Sequence, residues 1–176
     1  MAGLLNPMPN HLVTQHFEGA YSAEPRGYLA TPADPWRAKG TWFTGATLRE
    51  HLHKAVDVSA PVGTKVLAPE KAKLVLQAID AKTGDHYAFL QIRPGTVLAF
   101  HHLSKVLVPV GTTVARGAAF ALSGATGHVT GPHLHWAVRH SATLTDPHYS
   151  SSWMRYNPLR LLVGGDKAAT AWIRPL

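Results

Sequence analysis

From Val56 onward the chain is written in short apolar runs that alternate with polar residues and stop at proline or glycine. Val56-Asp57-Val58, Thr64–Leu67 and Lys73–Ile79 are β-branched or alternating, and Pro61, Gly63 and Pro69 separate them. His86–Ile92 and Thr96–Leu103 predict two strands joined around Arg93-Pro94-Gly95, a turn sequence. Ser104–Val110, Thr112–Val114 and Ala118–Leu122 continue the pattern, punctuated by Pro109, Gly111 and Gly117, and Leu134–Val138 adds a further strand. His11–Phe17 reads as a first short strand. No stretch sustains the apolar spacing of an amphipathic helix, so the pattern predicts an all-β fold with an antiparallel sandwich or barrel-like core.

Two segments, 18–48 and 140–156, carry no such period. Loops of that length in a compact domain are functional or disordered. They hold Trp36, Trp42, Tyr149 and Trp153, so they are the expected walls of a groove over a site, with Trp42 and Trp153 as expected substrate contacts. The expected organisation is a flexible lead-in at 1–10, a single domain at 11–165 and a tail at 166–176.

Composition narrows the chemistry. A chain of 176 residues with 45% apolar content is long enough for one domain with a real core. It has no cysteine, which excludes disulfides, thiolate catalysis and cysteine-based metal centres. Its 17 Lys and Arg against 10 Asp and Glu give a formal charge of +7. Such a surface favours polyanions: nucleic acid, acidic membranes or the anionic polymers of a bacterial envelope. The basic residues are scattered and form no nucleic-acid-binding motif, so nucleic acid is not an expected partner. No apolar run approaches the length of about eighteen residues that spans a bilayer. The N-terminal MAGLLNPMPNHLV has neither a basic n-region nor a long apolar h-region, so it does not read as a signal peptide. Twelve histidines is a high count for this length and directs attention to metal chemistry.

The chemistry concentrates in Ser123–Val138, SGATGHVTGPHLHWAV. A Gly-rich loop leads into a strand on which His133, His135 and Ala137 share one face and Leu134, Trp136 and Val138 the other. Two imidazoles at i and i+2 on a strand can reach one metal ion and what is bound to it. The best partner stretch is His53-Lys54-Ala55-Val56-Asp57. Hydrolytic zinc sites use three protein ligands and leave one position for water. His53, Asp57 and His135 would supply two neutral imidazoles and one carboxylate, leaving a charge of about +1 that a bound hydroxide cancels. Phe100-His101-His102-Leu103 offers one more functional residue. Adjacent strand residues face opposite ways, so only one of His101 and His102 is expected on the site's face, and periodicity does not choose between them.

Three segments, HKAVDVSAPVGTKVLAP, AFHHLSKVLVPVGTTVARGAAFALSGATGHVTGPHLHWAV and NPLRLL, resemble the lysostaphin/LytM-type zinc endopeptidases of peptidoglycan. Those enzymes carry His-x-x-x-Asp, an aromatic-x-His-Leu-Ser segment and Thr-Gly-x-x-Thr-Gly-Pro-His-Leu-His before a strand. The resemblance runs in order over roughly Val13–Leu162 and is densest from His53 to Val138. It implies that His53, Asp57 and His135 bind Zn²⁺. It also implies that His102 and His133 are the catalytic pair beside the metal-bound water, which favours His102 over His101. Which of the two is base and which acid stays open. His128, in the loop before His133, is an expected substrate contact. Two positions depart from the family: Ala55 stands where glycine is usual, and Trp136-Ala137 where Phe-Glu is common.

The resemblance implies a monomeric zinc metalloendopeptidase acting on stem or cross-bridge peptides of the bacterial cell wall. A phage-type endolysin is expected, bacteriolytic and antimicrobial, held in the host cytoplasm until the membrane is permeabilised; a domain excised from an exported protein is the other route. The competing class is a non-catalytic relative that binds peptidoglycan or regulates another hydrolase. Degenerate relatives of that kind lose ligands or flanking histidines, and here all five positions are filled.

Overall fold

The computed structural model describes residues 4–11, 13–15, 55–140, 154–156 and 158–161. Among these residues eleven strands run in chain order: β1 (Val13–Gln15), β2 (Val56–Ser59), β3 (Lys65–Leu67), β4 (Ala72–Ile79), β5 (His86–Arg93), β6 (Thr96–His101), β7 (Leu103–Val106), β8 (Thr113–Val114), β9 (Ala119–Ser123), β10 (His133–His140) and β11 (Met154–Tyr156). A 3-10 turn at Pro158–Leu161 follows, and no α-helix occurs among the described residues. Every named strand pair is antiparallel. The fold is therefore the all-β, antiparallel one that the alternating runs predict.

The large sheet has the order β1-β2-β10-β6-β5-β4-β8, and a small one has the order β3-β9-β7. Strand β10 is central. Along one edge it pairs with β6 through residues 135–140. The other edge is shared: β2 takes residues 133–136 and β11 takes 138–140. A strand bonded on both edges leaves its side chains little positional freedom, which suits it to carry functional groups.

The two faces of β10 divide as its alternation predicts. Leu134, Trp136 and Val138 are buried in the main core with Phe100, Leu98, Val56 and Val58. There Trp136 stacks on Phe100 at 6.3 Å, and Phe100 meets Phe120 of the small sheet edge-on at 4.9 Å. This core lies between the two sheets. A second cluster, Tyr87, Phe89, Val97 and Ala99, covers part of the opposite face of the large sheet. Ala55 is fully buried just before β2. It adopts none of the positive φ values that would require the glycine usual there.

Trp136 is 1% exposed and backs the strand that carries His133 and His135. Trp136→Ala should cost about 3–5 kcal/mol through lost burial and the cavity left behind. Urea unfolding followed by circular dichroism measures it, and a loss under about 1 kcal/mol would show that the site strand does not depend on this core.

Two expectations change. Residues 4–8 of the lead-in predicted to be flexible pack against the core: Met8 is fully buried and Leu4 nearly so. Main-chain bonds tie Leu4 N to Leu161 O at 2.6 Å and Leu67 N to Pro7 O at 2.8 Å. Apolar contact at Leu4 and Met8 outweighs the prolines that suggested freedom. The strand predicted over Thr96–Leu103 is broken at His102, where φ is +63°. That residue is the hinge at which the chain leaves the large sheet and enters β7 of the small one.

Candidate active site

The strand register assembles the site. His135 of β10 lies opposite Asp57 of β2 on one side and His101 of β6 on the other. Residues directly opposite in antiparallel strands project from the same face, so Asp57, His135 and His101 form one row across three strands. Tyr87 of β5 extends it, stacked on the His101 ring at 5.5 Å. His133 stands two residues from His135 on the same face, and its Nε2 lies 3.7 Å from Asp57 Oδ2.

His102 joins this group by an unusual backbone. A continuous strand would send it to the face opposite His101. Its left-handed conformation, uncommon for a residue with a Cβ, turns the ring back toward the row. The His102 ring lies 4.7 Å from that of His133 and 5.6 Å from that of His135. The His101 ring is 5.4 Å from His135. The expectation that only one of the neighbouring histidines could share the site's face is thus corrected: both do, because the strand ends between them.

The Gly-rich loop closes the other side. A Cβ on Gly124 would stand 2.5 Å from Ser104 N and 2.7 Å from His102 O, so only glycine lets this loop lie against the β6–β7 junction. Thr126 O accepts a hydrogen bond from His102 Nδ1 at 2.8 Å, and Gly131 O accepts one from His133 Nδ1 at 2.8 Å. A carbonyl can only accept, so both imidazoles carry their proton on Nδ1 and present Nε2 as the nitrogen for chemistry.

Asp57 Oδ1 and His135 Nδ1 face each other at 2.9 Å. Two ligands of a tetrahedral ion with bonds of about 2.0 Å sit about 3.3 Å apart, so this carboxylate–imidazole pair fits one edge of a zinc site. Among the described residues no three such side chains gather at metal-binding spacing. His53, the expected third ligand, lies outside the described residues, as do Trp36, Trp42, Tyr149 and Trp153. His128 is exposed in the loop before β10, and among the described residues no hydrogen bond or ring contact joins it to the site histidines.

The charge pattern beneath the row depends on a residue that sequence reading passed over. Asp85 is buried at the end of the turn between β4 and β5. Its Oδ2 accepts from His101 Nδ1 at 2.6 Å, and its Oδ1 accepts from the His102 main-chain N–H at 2.8 Å. Burial alone would raise the Asp85 carboxyl, but hydrogen bonds from His101 and His102 overcome it and hold the group well below the usual carboxylate range. For His101, burial pushes the imidazole down to about 4, with Arg139 adding to the effect and Asp85 only partly opposing it. Arg139 Nη2 lies 3.1 Å from His101 Nε2. Since a guanidinium only donates, Nε2 accepts and the proton sits on Nδ1. His101 is therefore a neutral spacer between a cation and a carboxylate. For His102, burial disfavours the charged form, but the hydrogen bond and charge of Asp85 outweigh it and raise the group above its ordinary value. In sequence Gly84-Asp85 reads as turn chemistry; only the cross-strand register reveals its place beside His102.

A stability prediction follows from His101. Below its ordinary value of about 6.5 the unfolded chain takes up a proton that the folded chain refuses until about pH 4. The unfolded state then binds more protons, so stability falls as pH drops through this window, by at most about 1.4 kcal/mol per unit. Urea midpoints across the window should show a steeper decline for the unsubstituted protein than for His101→Gln. Parallel curves would contradict a neutral buried His101.

The antiparallel two-sheet fold brings together one carboxylate, the imidazole that faces it and two flanking imidazoles, a set of groups suited to a metallopeptidase-like centre. Residues 51–147 match Peptidase family M23, and the chain belongs to that family. It is 31% identical over 73% of its length to peptidoglycan DD-endopeptidase ShyA of Vibrio cholerae, of which it covers 31%. A zinc-containing peptidase from Vibrio cholerae superposes with a TM-score of 0.58 at 27% identity, covering 78% of this chain and 36% of the other. The lysostaphin catalytic domain from Staphylococcus simulans does so with a TM-score of 0.53 at 28% identity, covering 65% of this chain and 81% of the other. The chain spans between a quarter and a third of the length of three of the curated relatives it matches, ShyA among them. No helix among the described residues is long and apolar enough to cross a membrane.

Proposed function

We propose that the chain is the catalytic domain of a zinc-dependent endopeptidase that hydrolyses peptide bonds of bacterial peptidoglycan, in stem or cross-bridge. The observation that carries this reading is the Asp57–His135 pair at 2.9 Å with the rings of His102 and His133 beside it. His53, Asp57 and His135 are the proposed protein ligands. Zinc bound there would supply a Lewis acid and a water of lowered pKa. His102 and His133 each present Nε2, so one, as the neutral ring, would accept the proton of the attacking water, and the other, protonated to the imidazolium, would donate from Nε2 to the oxyanion or the leaving amine. One relative gives the substrate its direction and one structural neighbour the metal: ShyA is named a peptidoglycan DD-endopeptidase, and the neighbour is a zinc-containing peptidase.

The finer reading is a monomeric, bacteriolytic endolysin of phage type, with a charge of +7 drawing it to the anionic wall. Trp42, Trp153 and His128 are the proposed substrate contacts, in a single domain at 11–165 that also holds residues 4–8 against its core. Incubation with defined cross-linked muropeptides and with glycine-bridged peptides, followed by mass spectrometry of the fragments, tests the reaction and identifies the bond. Cleavage should stop on chelation and return with zinc. Binding of intact peptidoglycan without cleavage, with zinc present, would favour the non-catalytic relative instead.

A further inference from the structure

Asp85 lies where four parts of the chain meet. Its own turn is closed by Asp80, whose Oδ1 accepts from Thr83 N at 2.8 Å and Lys82 N at 3.0 Å. Asp80 N also donates to Asp85 O at 2.8 Å. The catalytic loop is fastened to the same place: His86 N donates to Thr126 Oγ1 at 3.0 Å, and Thr126 Oγ1 donates to Leu103 O at 3.1 Å. Gly127, at φ +80°, passes so close that a Cβ there would stand 2.9 Å from the Asp85 Cβ. The third part is the β6–β7 junction and the fourth is His101, reached by Arg139 from β10.

We propose that Asp85 is a positioning residue for the reaction, holding His102 by both main chain and ring so that His102 presents Nε2 beside His133 and His135. This deepens the peptidase reading and rests on it. The geometry carries the inference. His102 follows the last residue of β6 in a left-handed conformation, and its N–H donates to the Asp85 carboxylate. A buried N–H without an acceptor is disfavoured, and Asp85 Oδ1 supplies one at 2.8 Å while also lying 3.2 Å from His102 Nδ1. One oxygen thus fixes the backbone and, together with Thr126 O, the ring proton on Nδ1. The other oxygen holds the Nδ1–H of His101, whose opposite nitrogen accepts from Arg139. The carboxylate is thereby locked between two fixed donors and cannot rotate away from His102.

Asp85→Asn tests the clamp because it keeps the shape but has one acceptor oxygen for two donors. Whichever way the amide turns, its NH₂ faces either His101 Nδ1–H or His102 N–H. In the zinc-loaded protein, kcat on a cross-linked muropeptide should fall about 10- to 100-fold, as for losses of supporting contacts around metal sites. KM and zinc content should stay near those of the unsubstituted protein, since neither ligand nor groove is touched. Unchanged kcat overturns the proposal, and so does a loss of zinc that accounts for the whole fall. Nitrogen-15 NMR of the histidine rings decides independently of activity and of whether the variant folds. In the unsubstituted protein His102 should carry its proton on Nδ1 with Nε2 bare, and the reverse tautomer overturns the clamp. If the unsubstituted protein cleaves no peptidoglycan, the peptidase reading fails while the ring spectra still report on Asp85.

Discussion

His135→Ala should abolish zinc retention and peptidoglycan hydrolysis together. His135 sits at the centre of the row, opposite Asp57 on β2 and His101 on β6. Removing its ring leaves the Asp57 carboxylate, which is 7% exposed, without the imidazole that faces Oδ1 at 2.9 Å. Zinc held by fewer than three protein ligands binds far more weakly, and the polarised water goes with it. The strand should survive, because the core face of β10 is made by Leu134, Trp136 and Val138 and the His135 side chain contributes nothing to it. Metal content by atomic spectroscopy, a circular dichroism spectrum and muropeptide cleavage distinguish the outcomes. A folded variant that keeps one zinc per chain and cleaves at the normal rate would remove His135 from the ligand set.

The sequence predicted this site unevenly, and the physical reasons differ by residue. His133 and His135 were legible because strand alternation is strict inside β10, which is hydrogen-bonded on both edges. The antiparallel fold was legible for the same reason, since the apolar runs between Pro and Gly correspond to β2–β6 and β9–β10 within a few residues. His101 and His102 were not separable by alternation, because the rule holds only while the strand continues. The left-handed turn at His102 ends the strand and brings both rings to one side. Asp85 was invisible for a deeper reason. It is 16 residues from His101 and 17 from His102 in sequence, and their contact exists only once β5 and β6 are paired. The burial of Leu4 and Met8 was likewise illegible, because it depends on backbone bonds to Leu161, Pro69 and Leu67 from distant parts of the chain.

The second large effect should come from the two flanking histidines, and its pattern tells their roles apart. His102→Ala and His133→Ala should each lower kcat by about 10²–10⁴-fold, the range for loss of a positioned acid or base. Zinc content should stay near one per chain, because the resemblance leaves these two outside the proposed ligands His53, Asp57 and His135. The rings are 4.7 Å apart and are proposed to act on one substrate, so the double variant should lose much less than the product of the single losses. Activity of the unsubstituted protein should fall as pH drops from about 8 to about 5, because a protonated imidazole can no longer accept the water's proton. The nearby Asp85 carboxylate favours the protonated form of His102. If His102 is the base, His102→Ala should flatten that acid limb while His133→Ala leaves it standing. If His133 is the base, the two profiles exchange. Single variants that each retain full kcat would place the proton transfers on other side chains.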